Sequence, residues 1–224
     1  MKSILINGGQ GKMGQALARI IQSDKSLCLT VAAQHEPNQP LPKQFDCVVD
    51  FSTPQGAQEA FYLAREKKKP FLTGTTNLPE TFLFQMQEED KIPVFYAPNV
   101  SLSVYYFTEL AKLAARMYRG YETALHEEHH VHKKDAPSGT AKKLAEAVGL
   151  PWQQVTFTRQ GEIVGTHQVR FASPLDEITL EHKALNRDLF AHSALHIANW
   201  LMKCEAGFYT MSDYAKFKLK EKRK

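Results

Sequence analysis

Apolar and polar residues change rhythm about midway along this chain. The first apolar run is Ser3 to Gly8, SILING, short and uninterrupted until Asn7, as a strand buried on both faces reads. Glycines follow at 8, 9, 11 and 14, and then Met13, Leu17, Ile20 and Ile21 recur at helical spacing. Strand, glycine-rich turn and helix open a β-α-β unit. The alternation continues. Strands are expected at Leu27–Gln34, at Asp46–Ser52 and in PFLTGTT and IPVFYAPN. Helices are expected in TPQGAQEAFYLAREKKK and LPETFLFQMQEED, and a proline-rich loop, EPNQPLPKQ, follows the second strand. In the first of these helices Pro and Gln stand near the start and Lys at the end, as the helix dipole favours. Strands alternating with helices on short connections predict a doubly wound parallel sheet, a Rossmann-type domain up to about Asn99.

Beyond it the rhythm alters. A long helix is expected over Leu102–Tyr118, and then YETALHEEHH alternates as a strand does. WQQVTFTRQ, IVGTHQVRFAS and DEITLEHKAL are rich in Val, Ile, Thr and Phe and read as antiparallel strands. DLFAHSALHIANWLMKCEAG reads as an amphipathic helix with a glycine stop. The expected division is a dinucleotide-binding domain at 1–101, a smaller α+β domain at 102–190 with an open mixed or antiparallel sheet, and a closing helix at 191–224 that returns to the first domain and carries a basic tail.

Composition narrows the classes. The 224 residues are 43% hydrophobic and 23% charged, ordinary for a water-soluble globular protein. No apolar run is long enough for a membrane span, and MKSILINGGQ is too short and too early for a secretory signal. Cys28, Cys47 and Cys204 are few, odd in number and far apart, which argues against a disulfide framework or a cysteine zinc site and fits a cytoplasmic location. The net charge of +4 owes much to the end, KFKLKEKRK, which reads as a solvated, frayed tail, so no nucleic-acid partner is expected.

NGGQGKMG has the composition of a pyrophosphate cradle, because a chain without Cβ atoms can bend sharply and approach phosphates while the next helix aims its N–H groups at them. The glycine pattern is imperfect, with Gln10 where a second glycine is usual. An acid is expected about 20 residues on, at the end of the second strand, to hold the ribose of NAD. Gln34 or His35 stands there, with Glu36 slightly late, and Lys12 can help a 2′-phosphate. NADH and NADPH both remain open. TGTTN (Gly74, Thr75, Thr76) and YAPNVS (Ala97, Pro98, Asn99) also fall at strand C-termini, where such sheets bind ligands, or serve as ordinary turns.

EEHHVHKKDAPSGTAKKLAEAV concentrates His129, His130, His132, Lys133 and Lys134 ahead of Asp135 and a Pro137–Ser138–Gly139–Thr140 turn. On an extended chain His130 and His132 share one face and His129 takes the other. Glu127 and Glu128 can complete a metal site, but adjacent lysines repel a divalent cation, so none is expected. Ser138 reads as a helix N-cap, with Ala141, Leu144, Ala145 and Val148 as the buried stripe and Gly149 as the stop. That helix N-terminus, the Ser138 and Thr140 hydroxyls and the charges of His130 and Lys133 suit a small carboxylate ligand, with one carboxyl group or two. Arg159 and Arg187 are exposed candidates for supporting contacts, or surface ion pairs.

EEHHVHKKDAPSGTA closely resembles the signature of the dihydrodipicolinate reductase family, and GKMG, VVDFSTPQG, TGTT, YAPNVS, HKALNR and a closing helix ALHIANWL…GFY fall in the family's order along nearly the whole chain. The resemblance implies reduction of 4-hydroxy-tetrahydrodipicolinate to tetrahydrodipicolinate by NADH or NADPH in lysine and diaminopimelate biosynthesis. It implies His129 as the acid–base residue and Lys133 as the catalytic lysine. His130, Lys133 and Ser138, Gly139 and Thr140 become substrate-carboxylate contacts. Gly8, Gly9, Gln10, Gly11, Lys12 and Met13, with Gly74, Thr75 and Thr76 and with Ala97, Pro98, Asn99 and Val100, become cofactor contacts. Which of His129 and Lys133 delivers the proton stays open, and domain closure is expected to complete the site. The family is usually a tetramer built through the β half. Two stretches are shorter than typical, Val148 to Thr158 and the loop after the second strand, which bears on the assembly. A catalytically silent NAD(P)-binding sensor, or a related amino-acid or semialdehyde dehydrogenase, is the alternative reading.

Overall fold

A computed structural model describes residues 1–35 and 44–221. The chain forms two compact units, residues 1–101 with 188–224 and residues 102–187. Among the described residues no helix is long and apolar enough to cross a membrane. Residues 36–43, which hold Glu36 and all of the proline-rich loop but Gln44, lie outside the described residues, as do residues 222–224.

In the first unit, β1 (Lys2–Asn7), β2 (Leu29–His35), β3 (Cys47–Asp50), β4 (Phe71–Thr73), β5 (Pro93–Tyr96) and β10 (Gly207–Tyr209) form one parallel sheet in the order β10-β5-β4-β3-β1-β2. Strand residues alternate between two covered faces, which is why these runs are apolar throughout. Leu5, Val48, Phe71 and Val94 pack with Phe61 of α2 (Pro54–Glu66) and with Phe82 and Met86 of α3 (Glu80–Gln87). On the opposite face lie α6 (Asp188–Leu201) and, packed on it, α1 (Lys12–Ser23). There Trp200 of α6 meets Phe95 of β5 edge-on, with ring centroids 6.3 Å apart. The chain runs from β1 outward to β2, then returns past β1 to β3. The order therefore reverses between β1 and β3, and ligands bind at the carboxyl ends of strands at such a point.

Two details of this unit differ from the expectation. GFY is the edge strand β10, pairing with β5, rather than the end of a helix. The basic end is also more ordered than expected: α7 (Met211–Glu221) carries Lys216, Lys218 and Lys220, with Met211, Tyr214 and Ala215 buried.

In the second unit, β6 (Glu122–His129), β7 (Thr156–Arg159), β8 (Gly165–Ala172) and β9 (Glu177–Ala184) form a sheet in the order β7-β6-β8-β9. The β6–β8 and β8–β9 pairings are antiparallel as expected, but β7 runs parallel to β6. The cause lies in the connection. Between β6 and β7 the chain crosses over through α5 (Gly139–Val148), which allows a parallel return. One face of this sheet carries Leu125, Val169 and Phe171 against Phe107, Ala111 and Ala114 of α4 (Leu102–Met117) and Ala141, Leu144 and Ala145 of α5. The other presents polar residues, with Arg170 bonded to Glu177 at 3.0 Å and Gln168 bonded to Glu181.

Candidate active site

The glycine turn lies between β1 and α1, at the reversal of strand order. Gly8 adopts φ +79°, and a Cβ there would lie 2.5 Å from the Phe51 carbonyl oxygen. A Cβ on Gly14 would lie 2.3 Å from the Gly8 carbonyl oxygen, so α1 reaches the turn only because position 14 has no side chain. Gly11 caps α1 without a side-chain hydrogen bond, and its first turn holds no acid. A helix start with neither side-chain cap nor carboxylate suits an anion. Gln10, Gly11 and Lys12 are exposed, Met13 is half-buried, and Gly8 and Gly9 are buried. These residues fit a dinucleotide pyrophosphate.

Gly74, Thr75 and Thr76 follow β4, and Ala97, Pro98, Asn99 and Val100 follow β5, so both stretches emerge at the same edge of the parallel sheet as the glycine turn. Gly74 is tight: a Cβ would lie 2.1 Å from Cε1 of Phe51. The Thr75 side chain is turned inward. Its hydroxyl donates to Asp50 at 2.7 Å and accepts from the Ser52 N–H at 3.0 Å, whereas Thr76 is exposed. Asn99 accepts from the Ser101 N–H at 2.9 Å.

Asp50 is a residue the pattern of the sequence did not mark. It is fully buried at the end of β3 and accepts four side-chain hydrogen bonds, from Asn7 (2.8 Å), Ser52 (2.5 Å), Thr73 (2.6 Å) and Thr75 (2.7 Å). A lone acid ending an apolar strand gives no sign of such company.

In the second unit the chemistry gathers at one end of the helix-covered face. The period of two along β6 places Glu127 and His129 on the same face as Leu125. Opposite Glu127 on β8 stands His167, and beside His129 on β7 stands Arg159. Glu127 is 0% exposed. Its Oε1 accepts from the Ser138 N–H at 3.0 Å and from Arg159 Nη2 at 2.9 Å. Its Oε2 faces His129 Nδ1 at 3.5 Å and His167 Nε2 at 3.6 Å. Ser138 is the N-cap of α5, accepting from the Ala141 N–H at 3.1 Å, and Gly149 closes that helix in the left-handed region, as expected. One residue thus caps the helix and grips the carboxylate.

Burial alone would push the Glu127 carboxyl up; the facing His167 imidazole and the hydrogen bonds from Ser138 and Arg159 outweigh it and hold the group well below the usual carboxylate range. Burial pushes His129 down to about 4; the Glu127 charge opposes this, and His167, Lys133 and Arg159 add to it. His129 is therefore a neutral imidazole at pH 7. Lys133 pairs with Asp135 at 2.8 Å. His130 is half-buried and lowered by its surroundings and by the charge of Arg187. His132 is exposed, 3.8 Å from Glu162, and its ring lies 6.1 Å from that of His130. Gly139 opens α5 with nothing within 4 Å of where a Cβ would stand.

Arg159 corrects the expectation of an exposed residue. Its side chain is 16% exposed and anchored to a buried acid, with a second bond to the Asp135 carbonyl at 2.6 Å. Arg187 is exposed as expected. His167 went unmarked, although its place among Gly165, Val169 and Phe171, the buried phase of β8, was readable. Glu127, His129 and His167 bring their ligand atoms within 4.8 Å of one another, a spacing a metal ion would accept. Arg159 already meets the charge of Glu127, which favours a hydrogen-bonded cluster over a cation site.

Known proteins resemble this chain along nearly its whole length. Residues 2–100 match the family model described as dihydrodipicolinate reductase, N-terminus, and residues 103–214 the one described as dihydrodipicolinate reductase, C-terminus. Proteins named 4-hydroxy-tetrahydrodipicolinate reductase from Campylobacter jejuni and Xanthomonas campestris are 36% and 38% identical to it. The alignments cover 96% of this chain and 96% of the Campylobacter protein, and 94% of this chain and 96% of the Xanthomonas protein. A dipicolinate-bound dihydrodipicolinate reductase from Paenisporosarcina superimposes with a TM-score of 0.74 at 21% identity, over 94% of this chain and 97% of that one, and so shares the fold. The chain belongs to the dihydrodipicolinate reductase family.

Proposed function

We propose that this protein reduces 4-hydroxy-tetrahydrodipicolinate to tetrahydrodipicolinate, with NADH or NADPH and loss of the 4-hydroxyl as water, in lysine and diaminopimelate biosynthesis. One observation carries the reading beyond family membership: His129 and the capped start of α5 are held around a single buried carboxylate, Glu127, and the charge of Lys133 acts on His129. The relatives named for this activity align over almost their whole length. The cofactor, when bound, supplies the hydride from its nicotinamide. Gly8, Gly9, Gln10, Gly11, Lys12 and Met13 line its pyrophosphate, with Gly74 to Thr76 and Ala97 to Val100 at the neighbouring strand ends. Because Thr75 is engaged internally, its contribution there is through the backbone.

The substrate carboxylates meet the start of α5 at Ser138, Gly139 and Thr140, with His130 and Lys133 supplying donors and positive charge. Negative charge that develops at the substrate ring nitrogen is met by a proton from this chain. Lys133 Nζ and the His129 ring are the two groups of this chain placed to donate it. The polar open face of the four-stranded sheet is the surface we assign to a homotetramer, and the site of action is the cytoplasm.

The test is a coupled assay. Aspartate semialdehyde and pyruvate are condensed by a synthase, and oxidation of NADH and of NADPH is followed by absorbance. Oxidation that depends on both precursors supports the reading; its absence with both cofactors defeats it. Light scattering on a sizing column checks the assembly, with four chain masses expected.

A further inference from the structure

The buried carboxylate of Glu127 has an unfilled side. A carboxylate offers about four acceptor positions. Oε1 uses its two on the Ser138 N–H and Arg159 Nη2. Oε2 is buried and lacks a hydrogen-bond partner, as do His129 Nδ1 and His167 Nδ1. Two imidazole nitrogens nevertheless converge on that oxygen, His129 Nδ1 at 3.5 Å and His167 Nε2 at 3.6 Å, and the latter is also 3.4 Å from Ser138 Oγ. The rings stand nearly perpendicular, 77° apart, with centroids 5.3 Å apart. The other edge of His129 lies over Gly165, where a Cβ would come within 3.0 Å of Nε2. The ring is thus flanked on the Nδ1 side by a carboxylate and on the Nε2 side by a residue with no side chain.

We propose that Glu127, locked by Arg159 and the Ser138 N–H and shared with His167, is the positioning residue of the reaction: it accepts the Nδ1–H of His129, fixes that tautomer, and leaves Nε2 as the atom that exchanges a proton with substrate. This rests on the reading of His129 as the acid–base group. The physical reason is that an imidazole whose Nδ1 proton is held by a fixed acceptor cannot flip or change tautomer without stranding a buried charge. Arg159 keeps the acceptor from rotating, because its guanidinium is tied to Glu127 and to the Asp135 and Thr158 carbonyls together. The charged groups facing His129 are Glu127 on β6, His167 on β8, Arg159 on β7 and Lys133 in the loop beyond β6. Only Glu127 among them is an anion.

Two measurements test this. In the wild-type protein, 15N-resolved imidazole resonances, assigned by comparison with His129→Gln, report the tautomer without turnover. A proton on Nδ1 and a bare Nε2 at pH 7 is expected, and the opposite tautomer would overturn the proposal. In kinetics, Glu127→Gln is expected to lower kcat about 10–100-fold, as loss of a carboxylate that orients a functional histidine does, while the NADH Kd stays within about twofold. In the His129→Gln background the same change should cost nothing further. A full additional loss there, or no loss in the single variant, sinks the positioning role while leaving His129 its own role. Undiminished kcat in His129→Gln sinks both. One equivalent of zinc in the purified enzyme would also overturn the proposal, since the carboxylate would then serve a metal. Should Glu127→Gln not fold, the tautomer measurement decides alone.

Discussion

Among the described residues each unit has one acid that is 0% exposed, Asp50 and Glu127, and the two are treated in opposite ways. Asp50 in the nucleotide unit is surrounded by neutral donors, two on each oxygen, and no cation among the described residues pairs with it. Glu127 in the other unit has a guanidinium and a backbone N–H on one oxygen and two imidazoles facing the other. A buried charge must be compensated, and hydrogen bonds or an ion pair can serve. The saturated site has no room for chemistry and works as structure. The site with partners that titrate can respond to a ligand.

That contrast can be broken or sharpened by substitution. The largest effect is expected at the responsive site: His129→Ala or Lys133→Ala should lower kcat by about 10²–10⁴ while NADH binding persists, read by steady-state kinetics and by nucleotide fluorescence titration. Next, Arg159→Ala strips the buried carboxylate of its cation and should cost about 3–5 kcal/mol in urea unfolding. Asp50→Asn should be milder, about 1–3 kcal/mol, because its amide turns two N–H groups toward hydroxyls that were donating. A cost at Asp50 equal to that at Arg159 would erase the distinction between the two sites. The smallest effect is on pH dependence. The unfolded chain protonates His129 at its ordinary value of 6.5, the folded chain only at about 4. Between these values the unfolded state binds more protons, so this contribution is complete above pH 6.5 and is lost as the pH falls toward 4, by at most about 1.4 kcal/mol per pH unit. Burial lowers His182 and His196 in the same direction. Urea midpoints taken across that range should flatten in His129→Gln.

Much of this was readable because local physics decided it. The five N-terminal strands show as apolar runs since both faces of a parallel sheet are covered, and Ser138 and Gly149 bracket α5 because caps are set by backbone hydrogen bonding within one turn. What escaped was set by partners distant in sequence. Composition marks β7 as a strand but carries no direction; the crossover through α5 makes it parallel. GFY is three residues long and forms β10 only because β5 offers an edge. Arg159 looked like a surface residue until Glu127, 32 positions earlier, claimed it. His167 and Asp50 matter through neighbours that no spacing along the chain brings together.

The four bonds on Asp50 also bear on how a nucleotide is received. Asn7, Ser52 and Thr75 sit at the ends of β1, β3 and β4, or one or two residues beyond them, and all three end on the same carboxyl group. The loops that follow these strands are therefore stiff before any ligand arrives. Little conformational entropy is left for association to remove, so ordering of the cradle should weigh lightly in cofactor affinity.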